Sequence, residues 1–154
     1  MISISEILLP EHINLDLHAP DSRTAVEELL FPLRGDIRIS DWDALREAIL
    51  ERDAPAIPAG PDCALLIAHG RTNSVNSLVM AAGRSLAGFP ADGIEGKIRL
   101  IFVVGIPTAL SQDYLRVVGT IARLCAKPDH LEKLLATSQA AQFLALLLAW
   151  ENKL

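Results

Sequence analysis

The sequence predicts an α/β fold in which a mixed β-sheet is sandwiched between α-helices. Three observations predict it. Four strand-like runs, "INLDLH", "CALLIAH", "SLVMAAG" and "IRLIFVVG", share the chain with segments of helical periodicity. The last of these runs is apolar on both faces, which marks a central strand covered by helices on both sides. The order of elements is one strand, two helices, about three strands and then two or three helices, which is not a regular βαβ alternation.

Ile13, Leu15 and Leu17 alternate with polar neighbours, the period of a half-buried strand. Pro20, Asp21 and Ser22 then open a helix whose apolar positions are Val26, Leu29, Leu30 and Leu33, and Gly35 closes it. In "SDWDALREAILERD", Ser40 and Asp43 have capping-box spacing, with Trp42, Leu45, Ile49 and Leu50 as the buried stripe. The segment "APAIPAGPD" carries three prolines and a glycine and reads as an irregular loop. After the three middle strands, "SQDYLRVVGTIARLCA" is a helix capped by Ser111 that buries Leu115, Val118, Ile121, Leu124 and Cys125. Pro128 starts a short helix at its first position, with His130 on its surface. Ser138 opens the last helix, through Phe143, Leu144, Leu147 and Trp150.

No repeat, low-complexity tract or domain boundary interrupts the chain, so one domain over residues 1–154 is expected. At 51% hydrophobic and 21% charged the chain can fill a core and is not disordered. A net charge of -5 and only 5% aromatic residues argue against a nucleic-acid partner. The start, "MISISEILLPEH", lacks the cationic and apolar regions of an export signal, and "FLALLLAW" is too short to span a bilayer. Cys63 and Cys125 match no paired metal spacing and fit a reducing compartment, so a cytoplasmic protein without membrane insertion is expected.

The candidate chemistry lies in "CALLIAHGRTNSV". Alternation places Cys63, Leu65, Ile67 and His69 on one face, with His69 held at the end of a packed strand. Gly70 lets the backbone approach a ligand, and Arg71 offers a planar fork suited to phosphate oxygens. Together with the hydroxyls and amides of "RTNSVNS" these residues can cradle an anion. Taken alone, such a histidine is more often structural than reactive. A metal site is not expected, because His12, His18 and His130 are scattered and Cys63 is a poor sole companion for His69. No Gly-x-Ser-x-Gly elbow or dinucleotide fingerprint is present.

On these residues nearly the whole chain resembles the enzyme IIA domain of the fructose/mannitol class of the bacterial phosphoenolpyruvate-dependent phosphotransferase system, including its nitrogen-regulatory branch. The strand end "ALLIAHG" and the run "IRLIFVVGIPTALSQDYLRVVGTIARLCAKPDHLEKLLATS" carry the likeness. It implies that His69 accepts a phosphoryl group from the histidine-containing phosphocarrier protein. The group would then pass to a IIB domain for sugar transport or stay as a regulatory mark, the use favoured here because no transporter domain is fused to the chain. A binding module on the same fold that takes no phosphate is the alternative. No cofactor or metal is expected, since both nucleophile and leaving group are nitrogen.

By position, the family's arginine at the end of the second helix falls on Arg52 within "ILERD". Arg52, Arg71, the Gly70 N–H and Tyr114 are therefore expected to hold the phosphoryl oxygens. Three departures mark this chain. The stretch before the acceptor strand is "PAIPAGPDC", the proline usual before the histidine is Ala68, and the family's second active-site histidine is Tyr114.

Overall fold

The computed structural model describes residues 3–60, 62–125 and 127–154, the Ser111 side chain excepted. Helix α1 (Ile4–Ile7) opens on a reciprocal capping box between Ser3 and Glu6 and leads directly into strand β1 (Leu8–Asn14). The first strand thus lies earlier than Ile13–His18. Asn14 ends it, because its Oδ1 accepts the Asp16 N–H at 2.9 Å and turns the chain. Leu15 and Leu17 then pack on opposite faces of the sheet instead of sharing one.

Asp21 caps helix α2 (Ser22–Leu30) by accepting the Thr24 N–H at 2.8 Å. A 3-10 turn carries the chain to Leu33, and Gly35 at φ 90° ends it. Helix α3 (Trp42–Leu50) is capped by Asp41 rather than by Ser40. Ser40 is already engaged, with both its N–H and its hydroxyl donating to the Ser74 carbonyl. The proline-rich segment is not wholly irregular. It holds a three-residue edge strand, β2 (Ala56–Pro58), where proline is tolerated because one side of the strand needs no ladder donor.

Strands β3 (Cys63–Arg71), β4 (Val79–Phe89) and β5 (Lys97–Ile106) complete a five-stranded sheet of order β1-β4-β5-β3-β2. The β1–β4 and β3–β5 pairs are parallel and the β4–β5 and β2–β3 pairs antiparallel, so the sheet is mixed with β5 at its centre, as the apolar run "IRLIFVVG" predicts. A register shift opposite Ala64 and Leu65 turns Ile98 to the face shared by Ile101 and Val103. Leu100, Phe102, Val104 and Ile106 fill the other face.

Helices α2 and α3 cover the first face. Helices α1, α4 (Ser111–Cys125), α5 (Pro128–Ala136) and α6 (Ala140–Glu151) cover the second. Burying each leucine or isoleucine in these layers contributes about 1.5–3 kcal/mol. Helix α4 starts at Ser111; whether the Ser111 side chain caps it lies outside the described residues. Its buried stripe is Val117, Ile121, Leu124 and Cys125, with Val118 partly buried. Leu115 is 66% exposed, because a helix that turns Tyr114 toward the sheet carries the next position about 100° away. Pro128 does open α5, whereas α6 starts at Ala140, two residues after Ser138. His130 is buried instead of on the surface: its ring stacks on Trp150 at 3.7 Å and its Nδ1 lies 2.8 Å from the Leu124 carbonyl.

Arg84 of β4 is 7% exposed and donates to the Leu134, Leu135 and Thr137 carbonyls, the groups that the end of α5 leaves without helical partners. An Arg84→Met variant should lose about 2–4 kcal/mol, the cost of orphaning buried carbonyls, read as a lower urea midpoint at unchanged slope. Among the described residues no helix is long and apolar enough to cross a membrane.

Candidate functional site

The sheet positions His69. Cys63, Leu65 and Ile67 of β3 point into the layer beneath α4, and Ala64, Leu66 and Ala68 into the layer beneath α2 and α3. His69 continues the first set and meets Tyr114 on the first turn of α4, with ring centroids 4.8 Å apart and a 35° tilt. Among the described residues strand β2 pairs only with Ala64, Leu65 and Leu66 and leaves the β3 edge free from Ile67 onward. Across that edge Arg52, just past the C-terminus of α3, brings its Nη1 to 3.0 Å from His69 Nε2.

This contact assigns the tautomer. A guanidinium has donors and no acceptor, so Nε2 must present its lone pair and the proton of the neutral ring sits on Nδ1. Nδ1 is buried and has no partner in hydrogen-bond geometry among the described residues. The Ile67 backbone lies near enough to favour the protonated ring to a small extent. Burial above all, and then the Arg52 charge, hold the His69 pKa below its ordinary 6.5. The half-buried ring is therefore neutral at pH 7, with Nε2 aimed at a cation. Burial also pushes the Tyr114 phenol up while Arg52 opposes the rise, so Tyr114 remains a protonated donor.

Of the residues singled out in the sequence, the structure brings together His69, Arg52 and Tyr114. Arg71 follows His69 on the same strand face, but its guanidinium donates to the Thr108 carbonyl at 3.4 Å. Gly70 faces away from the ring. A Cβ there would meet the backbone of Ala48 and Ile49 at 2.8 Å, so the missing side chain is what lets α3 lie close on β3. A Gly70→Ala variant should lose about 1–3 kcal/mol by overpacking and displace the end of α3 that carries Arg52. A chemical denaturation curve checks the first effect, and the His69 ring resonances check the second.

One position, Thr108, went unnoticed in the sequence. Thr108 Oγ1 donates to Asn73 Oδ1 at 2.6 Å, and the Thr108 carbonyl receives Arg71, so the turn before α4 is tied to the loop after β3. The signal was available in "IPTALS", which leaves β5 beside the parallel end of β3 and must return as the helix bearing Tyr114. Among the described residues no group of three histidine, cysteine or acidic side chains could hold a metal ion.

The comparisons agree with this architecture. Residues 6–150 match the model of the family "Phosphoenolpyruvate-dependent sugar phosphotransferase system, EIIA 2". The chain is 32% identical over 134 residues to the fructose-specific EIIA component of the phosphotransferase system from Haloferax volcanii, covering 86% of each chain. Its fold is similar to that of the nitrogen regulatory protein IIA-Ntr from Neisseria meningitidis, with a TM-score of 0.78, 25% identity and coverage of 94% of this chain and 98% of that one. Its fold is also similar to that of one chain in a complex of enzyme IIAMTL and phosphorylated enzyme IIBMTL from Escherichia coli, with a TM-score of 0.70 at 17% identity, covering 90% of this chain and 95% of that one. With its sheet, its helical layers and nearly its full length matched, the chain belongs to the EIIA 2 family of the phosphoenolpyruvate-dependent sugar phosphotransferase system.

Proposed function

We propose that the protein is a phosphocarrier whose acceptor atom is His69 Nε2 and whose donor is the histidine-containing phosphocarrier protein. The observation that carries this reading is the 3.0 Å contact from Arg52 Nη1 to Nε2 in a ring held neutral by its surroundings. In the transfer the bond from phosphorus to the donor's nitrogen breaks, and its electron pair stays on that nitrogen. The Nε2 lone pair forms the new bond to phosphorus while Nδ1 keeps its proton. Little covalent help is needed, so catalysis rests on alignment and on charge around the three equatorial oxygens.

Arg52 is already at the nitrogen and has only to slide onto these oxygens. Tyr114 supplies one phenolic donor from the first turn of α4, where the helix dipole favours negative charge. A phenol in place of a cationic ring removes one charge-assisted bond, which weakens the phosphorylated state by about 1–2 kcal/mol. Recipient and donor both face the open edge of β3. A IIB domain suits sugar transport, as the likeness to a fructose-specific component supports. A phosphoryl group retained as a regulatory mark, the use we favour, is supported by the likeness to a nitrogen regulatory protein.

The test is incubation with phosphoenolpyruvate, enzyme I and the phosphocarrier. The expected result is one acid-labile phosphoryl group per chain. Binding of the phosphocarrier without any labelling would instead make the chain a docking module. Adding a fructose-class IIB domain to the charged protein separates the two onward fates: prompt discharge marks transport, and a long-lived charged state marks regulation.

A further inference from the structure

Behind the acceptor strand lies a cleft of about 500 Å³ that the phosphoryl chemistry does not use. Its floor is apolar, built from Ile49, Leu66, Ala68 and Ile98 on the α2–α3 face of the sheet. Ala68 precedes His69 and points the opposite way, so cleft and acceptor stand back to back across one strand. Arg52 belongs to both. It lines the cleft, and its Nη1 reaches over the free edge of β3 to Nε2. Arg23 lines the same cleft and donates from Nη1 to the Leu50 carbonyl, which leaves the rest of its fork available. Asp53 and Asp92 stand at the rim, and among the described residues neither is within salt-bridge distance of a cation.

We propose that this cleft binds a small aliphatic carboxylate and that its occupancy slows phosphorylation of His69 by drawing Arg52 away from Nε2. Two guanidiniums match the planar carboxylate, and the apolar floor takes a short hydrocarbon body. Asp53 and Asp92 offset the charge of Arg23 and Arg52 and repel a doubly charged phosphate more than a monoanion, so of the two the monoanion fits better. One guanidinium cannot serve anions on both sides of the strand at full strength, so ligand and phosphoryl group oppose one another. The coupling is reciprocal: phosphorylated protein binds the carboxylate more weakly by the same factor. The coupling rests on His69 being the acceptor, whereas the binding site itself does not.

The probe is 4-methylvalerate, with inorganic phosphate as the comparison anion. Titration into the isotope-labelled full chain should shift the amides of Ala54, Ala68 and Ala91 saturably and move the His69 Nε2 resonance. In the reconstituted charging reaction saturating 4-methylvalerate should slow phosphorylation about tenfold, the order of a typical coupling between sites. Ala91→Trp, which fills the cleft from its rim, should abolish both responses while charging proceeds at the wild-type rate. Arg23→Gln should weaken the titration, which guards against a misfolded Ala91→Trp variant. Absence of saturable shifts, equal shifts with inorganic phosphate, shifts confined to the α4 side of the strand, or binding that leaves the charging rate unaltered would each overturn the proposal. Failure of His69 to charge at all would instead be seen without any carboxylate present, and so would count against the phosphocarrier reading alone.

Discussion

A His69→Gln variant is expected to take up no phosphoryl group from the charged phosphocarrier while keeping the fold. Glutamine preserves an acceptor for Arg52 through its side-chain carbonyl, but it offers no nucleophilic nitrogen, because the amide lone pair is delocalised. Loss of labelling should be complete within detection, whereas the far-ultraviolet circular dichroism spectrum should match wild type. The variant also carries a pH signature. In the wild type the folded ring titrates below 6.5, so between that folded value and 6.5 the unfolded chain binds more protons than the native one. The His69 contribution to stability is therefore fully present above pH 6.5 and is lost as pH falls through the folded pKa. Glutamine does not titrate, so His69→Gln should lose less stability than wild type on acidification below pH 6.5. Denaturation midpoints at two pH values measure this difference.

The next largest effect is expected at Arg52. Arg52→Gln keeps a hydrogen-bond donor but removes the cation beside the reacting nitrogen, and transfer to His69 should slow by about 10–100-fold, the value of a charge-assisted bond to a transferring oxyanion. The change should fall on the transfer rate more than on docking of the phosphocarrier, since the side chain acts on oxygens that carry most charge during transfer. With that cation gone the His69 pKa should rise, yet stay below 6.5, because burial is the larger cause of its depression and is unchanged. Arg52 is exposed, so global stability should change by no more than about 0.5 kcal/mol. Arg52→Lys should restore the charge but not the planar fork, giving partial recovery. Stopped-flow phosphorylation kinetics and a histidine NMR titration test both halves of this expectation.

The layers of this fold were legible because strand alternation and helical stripes are properties of neighbouring residues. Cys63, Leu65, Ile67 and His69 do share a face, and "IRLIFVVG" is the central strand. What local pattern could not convey was competition from distant groups. Ser40 is a good cap by type, but the Ser74 carbonyl, far along the chain, engages it and Asp41 takes its place. His130 follows a proline in a charged stretch, yet Trp150 supplies the stacking surface that buries it. Leu115 reads as core until Tyr114 sets the rotation of α4.

The site divides in the same way. Residue type and position on the strand made His69 legible, and the family likeness added Arg52 and Tyr114. Local pattern alone could not give Arg52, because it reaches Nε2 across a sheet edge that a three-residue strand hidden among prolines leaves free. Gly70 has a packing role that local pattern does not convey. Its backbone freedom serves the approach of α3, and only through α3 does it serve the position of Arg52.

Nitrogen-15 NMR of the His69 ring, recorded before and after charging by the phosphocarrier, puts the acceptor assignment to its most direct trial. Before charging, Nδ1 should carry the proton and Nε2 the lone pair; afterwards phosphorus coupling should appear on Nε2, with Nδ1 still protonated. Phosphorus coupling on Nδ1, or an unaltered ring in a protein that has met the charged donor, would contradict the account.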